Sequence, residues 1–238
     1  MQPIFIVGLD GLHRAGKATQ INLLKTFLSK KEIPSLTIRG DGTRKGIGTE
    51  AYDFESEWWQ AHYSSFFDYT ISLEEQLYLI NLASQRMSRE NRCLKERYFS
   101  RRIQQANKNK GVILMDRTFI SHFFVMRQFY PSISVSDSLK SINPKNSRVI
   151  YQIIPDVAFV LDVSKEELLR RCESSLDQQD KKEFRKNNIL NKYSFFKNAL
   201  ELVRDSNLCN IHLIDGNLPP LEVHNLIKLS LEGILSDF

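Results

Sequence analysis

Ile4-Phe5-Ile6-Val7-Gly8 runs into Leu9-Asp10-Gly11-Leu12-His13-Arg14-Ala15-Gly16-Lys17, and the two stretches belong together. The short apolar run ended by Gly8 reads as a buried parallel strand entering a turn. Gly11 to Lys17 has the spacing Gly-x-x-x-x-Gly-Lys. After it, Ile21, Leu24, Phe27 and Leu28 recur at helical spacing, and the helix should stop near Lys30 and Lys31, where cations suit its negative end. Glycines let backbone wrap closely around phosphate oxygens, and the first turn of the following helix offers unpaired N–H groups and a positive dipole end. Lys17 is placed to reach β- and γ-phosphates. The strand–loop–helix context separates this motif from an ordinary glycine-rich turn.

Working outward, four more short runs read as strands. Ser35 to Ile38 follows Pro34. Val112 to Met115 follows Gly111 and ends in Asp116-Arg117, Val157 to Leu161 follows Pro155-Asp156, and Ile211 to Ile214 is the last. Helical patterns lie between them. Leu73 to Arg101 reads as one long helix or two joined ones, with Leu77, Ile80, Ala83 and Met87 on one stripe. Ile120 to Phe129, Lys165 to Cys172 and Glu222 to Ile234 read as shorter helices, while Pro131 to Pro144 is a loop or short helix. The aromatic-rich stretch Glu50 to Tyr69 reads as an amphipathic helix packed on the core, with a cleft wall or a dimer face as the alternative, since Trp and Tyr serve both. Ser174 to Asn188 has no evident core face, which makes residues 174–188 a candidate mobile lid. Strands alternating with helices predict an α/β fold, a five-stranded parallel sheet flanked by helices, formed by one domain over residues 1–238.

Hydrophobic residues at 42% and charged residues at 26% exclude global disorder and a collagen-like chain. The net charge of +5 favours an anionic ligand, and a nucleotide satisfies it as well as a nucleic acid. The basic residues are spread among acidic ones, so nucleic acid is not expected as a partner. Cys93, Cys172 and Cys209 form no CxxC or zinc pattern, which fits a reduced compartment. Ile4 to Val7 is too short for a signal peptide or a membrane span, so no membrane partner and a cytoplasmic location are expected.

Two features qualify the chemistry. The residue after Lys17 normally supplies a hydroxyl to Mg²⁺, yet here it is Ala18. Thr19 follows, but one helical step turns a side chain by roughly 100°, so it is no simple replacement. Mg²⁺ would then rely on phosphate oxygens, water and Asp116. Asp116-Arg117-Thr118 closes a strand where ligands of parallel sheets gather, with Ser121 one helical turn on. A carboxylate there can orient metal-bound water, and an arginine can clamp an acceptor phosphate through two parallel hydrogen bonds. A structural Asp–Arg pair is the plainer alternative. Arg39, Arg86 and Arg117 together would supply the donors that a monophosphate needs.

In order along the chain, these motifs resemble the thymidylate kinases. Asp10 to Gln20 is similar to their phosphate loop, Glu-Gly-x-Asp-(Gly/Arg)-x-Gly-Lys-(Ser/Thr)-Thr-Gln. Arg39-Gly40-Asp41-Gly42-Thr43 with Gly48 resembles their Arg-Glu-Pro-Gly-Gly-Thr-x-x-Gly loop, one residue shorter and without the proline. Ala83-Ser84-Gln85-Arg86, Asp116-Arg117-Thr118 with Ser121, Pro155 to Val163 with Glu166, Glu167, Arg170 and Arg171, and Ile214-Asp215-Gly216 match further segments. The resemblance implies transfer of phosphate from ATP, with Mg²⁺, to a nucleoside monophosphate, dTMP giving dTDP, by a homodimer. It implies that the loop Gly11, Leu12, His13, Arg14, Ala15, Gly16, Lys17, Ala18 and Thr19 holds ATP. Lys17, Arg14, Asp116 and Arg117 would be catalytic, with Asp116 toward the metal. Arg39, Leu82, Arg86, Arg117 and Ser121 would bind the acceptor. Arg14 makes this the type with an auxiliary arginine in the loop, since Ser174 to Lys182 has none. His13 stands where the family has a carboxylate, Ala18 where it has a hydroxyl, and Leu82 where it commonly has a phenylalanine on the thymine. A nucleotide-binding protein with impaired catalysis, or a deoxynucleoside or other small-molecule kinase on this fold, is the alternative expectation.

Overall fold

The computed structural model describes residues 4–39, 99–129, 131–140, 154–174 and 186–237. The described elements are β1 Ile4–Asp10, α1 Lys17–Lys30, β2 Ser35–Arg39, α2 Ser100–Gln105, β3 Gly111–Asp116, α3 Phe119–Phe129, α4 Val135–Lys140, β4 Val157–Asp162, α5 Lys165–Glu173, α6 Lys186–Asp205, β5 Asn210–Asp215 and α7 Pro220–Asp237. The five strands form one sheet in the order β2-β3-β1-β4-β5. Every pairing is parallel, as the alternation of strands and helices predicts.

Alternation along the strands divides the core. Val7 and Leu9 of β1 and Phe159 of β4 pack with Leu24 and Leu28 of α1 and Ile227 and Leu231 of α7. On the other face, Ala158 and Val160 meet Ile120 and Phe123 of α3 and Ala199 and Val203 of α6. Ile6, Ile38 and Ile113 pack with Phe99 and Ile103. Such apolar strands buried on both faces are the mark of a parallel sheet between helical layers. Because α1 and α3 leave neighbouring strands toward opposite faces, the carboxyl ends of β1 and β3 form a topological switch point, the place where ligands of open α/β sheets bind.

β1 does not stop at Gly8; it continues to Asp10. A Cβ on Gly8 would lie 2.4 Å from the Thr118 methyl group and 3.0 Å from Pro155 Cγ. This glycine permits a close approach within a strand and does not make the turn. The largest departure from the sequence reading is α6, a 20-residue helix over a stretch to which no element was assigned. Phe196, Ala199, Leu200 and Val203 are its buried stripe, and Phe196 meets Phe124 edge-on, with ring centroids 5.6 Å apart. Of the candidate lid, Ser174 follows the end of α5, 175–185 lie outside the described residues, and 186–188 already belong to α6. The described end of the long expected helix runs on past Arg101 to Gln105. The aromatic stretch Glu50 to Tyr69 lies outside the described residues.

Candidate active site

Gly11 and Gly16 have φ of 135° and 101°, which only glycine adopts without strain. At Gly11 a side chain would also meet Leu161 O at 2.9 Å. Between them the Ala15 N–H donates to Leu12 O at 3.1 Å and tightens the loop. Gly16 caps α1 with no side-chain hydrogen bond, and no acidic residue follows in the first turn. α5 shows the opposite arrangement: Ser164 Oγ accepts from the Glu167 N–H, and Glu166 and Glu167 answer the dipole. The start of α1 therefore leaves its positive end for an outside anion. Lys17 is 8% exposed, and its Nζ donates to Gly11 O at 2.7 Å and Leu12 O at 2.8 Å. The ammonium thus sits within the loop. Ala18 and Thr19 are both exposed.

Asp10 joins this loop to its neighbour. Fully buried, it accepts from Gly11 N at 2.8 Å on one side. On the other it accepts from Thr118 N at 2.9 Å, Thr118 Oγ1 at 2.8 Å, Ser121 N at 3.2 Å and Ser121 Oγ at 2.6 Å. A carboxylate with five donors at the start of α3 meets both the hydrogen-bond demand of a buried charge and the helix dipole. The Ser121 hydroxyl proton is therefore engaged by Asp10, and Ser121 is itself buried. Asp116 stands at the end of β3, in register with Leu9 of β1 and Arg39 of β2.

Among the described residues, five other than glycine have positive φ. Glu32, Asn107 and Asn207 follow α1, α2 and α6 and close left-handed helix caps, as in the Ile33 N–H to Leu28 O bond of 2.9 Å. The other two, Arg14 and Arg117, close no helix, and both have φ of 63°. Each left-handed residue of this kind costs about 1–2 kcal/mol. The Arg117 N–H is fixed by Leu9 O at 2.9 Å. Local strain thus falls on the two arginines that follow β1 and β3, at the switch point of the sheet.

Two further strand-end carboxylates have structural partners. Asp162 holds Lys197 Nζ with both oxygens at 2.6 Å, and Asp215 accepts from Asn217 N at 2.9 Å and Nδ2 at 2.7 Å. Among the described residues, no group of three or more His, Cys, Asp or Glu side chains could hold a metal ion, and no helix is long and apolar enough to cross a membrane. Burial raises the Cys172 thiol and pushes that of Cys209 up to about 11, so neither is a thiolate at neutral pH.

The structure thus brings Gly11, Leu12, His13, Arg14, Ala15, Gly16, Lys17, Ala18 and Thr19 to the same sheet edge as Asp116, Arg117 and Ser121. Arg39 ends β2 at that edge, opposite Asp116. Leu82 and Arg86 lie outside the described residues. Sequence reasoning gave no role to Asp10, although its place between a strand and a phosphate-type loop was a signal. It likewise passed over Arg171, whose contacts with the loop come from an element 157 positions away.

The thymidylate kinase family model matches residues 76–227, beginning after the loop that carries His13 and Ala18. A thymidylate kinase of Chlorobaculum tepidum is 23% identical over 234 residues, spanning 96% of this chain and 97% of that one. The crystal structure of thymidylate kinase from Ehrlichia chaffeensis superposes with a TM-score of 0.57 at 16% identity, covering 97% of this chain and 99% of that one. The fold is that of the P-loop nucleotide kinases, and the match over more than half of its length shows that the chain belongs to the thymidylate kinase family, as a divergent member.

Proposed function

We propose that the protein transfers the γ-phosphoryl group of ATP to a nucleoside monophosphate, with dTMP as acceptor and dTDP and ADP as products. The observation that carries this reading is the Asp10 carboxylate, which ties the phosphate-type loop to the start of α3 and so sets two candidate subsites at a fixed separation. Phosphoryl transfer asks a protein mainly for positioning and charge stabilisation of an in-line displacement. On this reading the Gly11–Thr19 loop and Lys17 hold the donor phosphates, and Arg14 reaches the charge that develops between donor and acceptor. Arg117 and Arg39 clamp the acceptor's phosphate and Arg86 helps hold the base, while Ser121 acts through Asp10. Leu82 would face the base. A homodimer is part of the same proposal and rests on family membership alone.

The residues fit a metal only sparsely. Ala18 presents no oxygen, so Mg²⁺ would be held by phosphate oxygens and water, with Asp116 the protein group at that edge. When bound, the ion would neutralise charge on the β- and γ-phosphate oxygens.

That same alanine supports a second reading, a nucleotide-binding protein whose turnover is impaired. An acceptor screen separates the possibilities, using ATP, Mg²⁺ and a panel of deoxynucleoside and ribonucleoside monophosphates beside the free nucleosides. Phosphorylation of dTMP above the other monophosphates is expected. Turnover of nucleosides alone would overturn the proposal in favour of a nucleoside kinase, and ATP binding without turnover would favour the second reading.

A further inference from the structure

The guanidinium of Arg171, on α5, makes four bonds that draw three separate segments together. Its Nη1 donates to Arg14 O at 3.2 Å and Ala15 O at 3.3 Å, and its Nη2 donates to Gly216 O, just beyond β5, at 2.7 Å. Nε donates to Glu167 Oε1 at 2.7 Å. Glu167 is in turn held by Arg170 Nε at 2.6 Å and Nη2 at 2.7 Å, and the two arginines lower its carboxyl to about 2. The bond to Glu167 orients the plane of the Arg171 fork where it meets the loop.

We propose that Arg171 is a positioning residue for the donor phosphates, acting through the backbone of the phosphate loop; the inference rests on the nucleotide-binding reading above. A trans peptide is planar, with its C=O and N–H pointing in opposite directions. Drawing Ala15 O toward Arg171 turns the Gly16 N–H away from it, at the uncapped start of α1. Drawing Arg14 O the same way turns the Ala15 N–H toward Leu12 O, where it closes the loop. One side chain thus sets two successive peptide planes, and it steadies Arg14 in the left-handed conformation that its side chain disfavours. A lysine has no planar fork and cannot bind three carbonyls in this arrangement. Arg170 is the natural control, because it shares Glu167 yet its side chain is 70% exposed and its guanidinium bonds Glu167 on its own helix.

The test is equilibrium binding to the full chain of two probes, ATP and inorganic tripolyphosphate, at constant Mg²⁺, with thermal melting recorded in parallel. R171M is expected to weaken both by at least about tenfold, R171K by several-fold, and R170M by less than about twofold. In turnover, the KM for ATP should rise while the KM for the monophosphate stays within about twofold. A loss for ATP without one for tripolyphosphate would overturn the proposal, since it would place the contact on the base or ribose. Unchanged affinity for both in a folded R171M overturns it too, and leaves the nucleotide-binding reading standing. Wild-type protein that binds neither probe overturns that reading and this inference together. Should R171M fail to fold, R171K decides: wild-type affinity there would show that charge, and not the fork, is what matters.

Discussion

Lys17 keeps its ammonium within 2.8 Å of two loop carbonyls, so a cation already lies where donor phosphates would be received. Lys17→Ala should weaken ATP affinity by at least about tenfold, equivalent to about 1.4 kcal/mol, with the helix intact. Calorimetric titration of the folded variant checks it; unchanged affinity would remove the loop from the site. Ala18 is exposed at the next position, so a serine there meets no packing conflict. Ala18→Ser should raise Mg²⁺-dependent turnover several-fold, against a helix-propensity cost below roughly 0.5 kcal/mol. Initial rates against Mg²⁺ at saturating ATP would show the gain, and efficient wild-type turnover with no gain at any Mg²⁺ concentration would show that Ala18 does not limit the reaction. If both proteins bind ATP yet stay inactive, His13→Asp in the same background is the next variant. Arg117 has a strained backbone whose N–H is held by Leu9 O. Arg117→Lys keeps the charge but loses the two-pronged clamp, so KM for the monophosphate should rise by about tenfold with KM for ATP nearly unchanged. A loss of melting temperature alone would make Arg117 structural.

At the scale of elements, the strands and most helices were legible because both patterns are local. Short continuous apolar runs exposed β1, β3 and β4, and Lys30 and Lys31 marked the end of α1. The end of β1 was misplaced because Gly8 looks like turn punctuation, and its reason for being glycine is Thr118, 110 positions later in the chain. α6 was missed although Phe196, Ala199, Leu200 and Val203 recur at helical spacing, because its polar start continues the polar stretch before it. Asp10 and Arg171 were not legible as working residues for the same kind of reason. Their partners, Thr118 and Ser121 for one and Arg14, Ala15 and Gly216 for the other, are brought near only by the parallel crossovers. Gly8→Ala tests that long-range geometry. A new Cβ 2.4 Å from a methyl group held in place by Asp10 should destabilise the fold by about 2 kcal/mol. A urea titration measures it, and a change below about 0.5 kcal/mol would mean that Thr118 is free to move aside.

At the scale of the whole molecule, the site depends on α1 being anchored to α7 through the core. Phe27 meets His224 edge-on with ring centroids 6.4 Å apart, and Gln20 Nε2 donates to Pro220 O at 2.9 Å. Burial, with Lys228 adding to it, lowers the His224 pKa below its ordinary 6.5. The unfolded chain therefore takes up this proton first as pH falls. The contribution of His224 to stability is complete above about 6.5 and is lost as pH falls from there through the lower folded-state value. The urea midpoint should decline as pH falls below about 6.5, and His224→Phe should flatten that decline; an equal slope in the variant would assign it to other groups. With the anchored loop on one side of Asp10 and the Asp116–Ser121 edge on the other, the central claim is direct transfer between two bound nucleotides. It is tested by following the label of ATP labelled at its γ-phosphorus, mixed with dTMP and excess enzyme in a single turnover. The account predicts that the label appears in the β-phosphate of dTDP and that Lys17→Ala slows its arrival by about tenfold or more. Label found only in inorganic phosphate, or remaining in ATP bound to a folded protein, would contradict it.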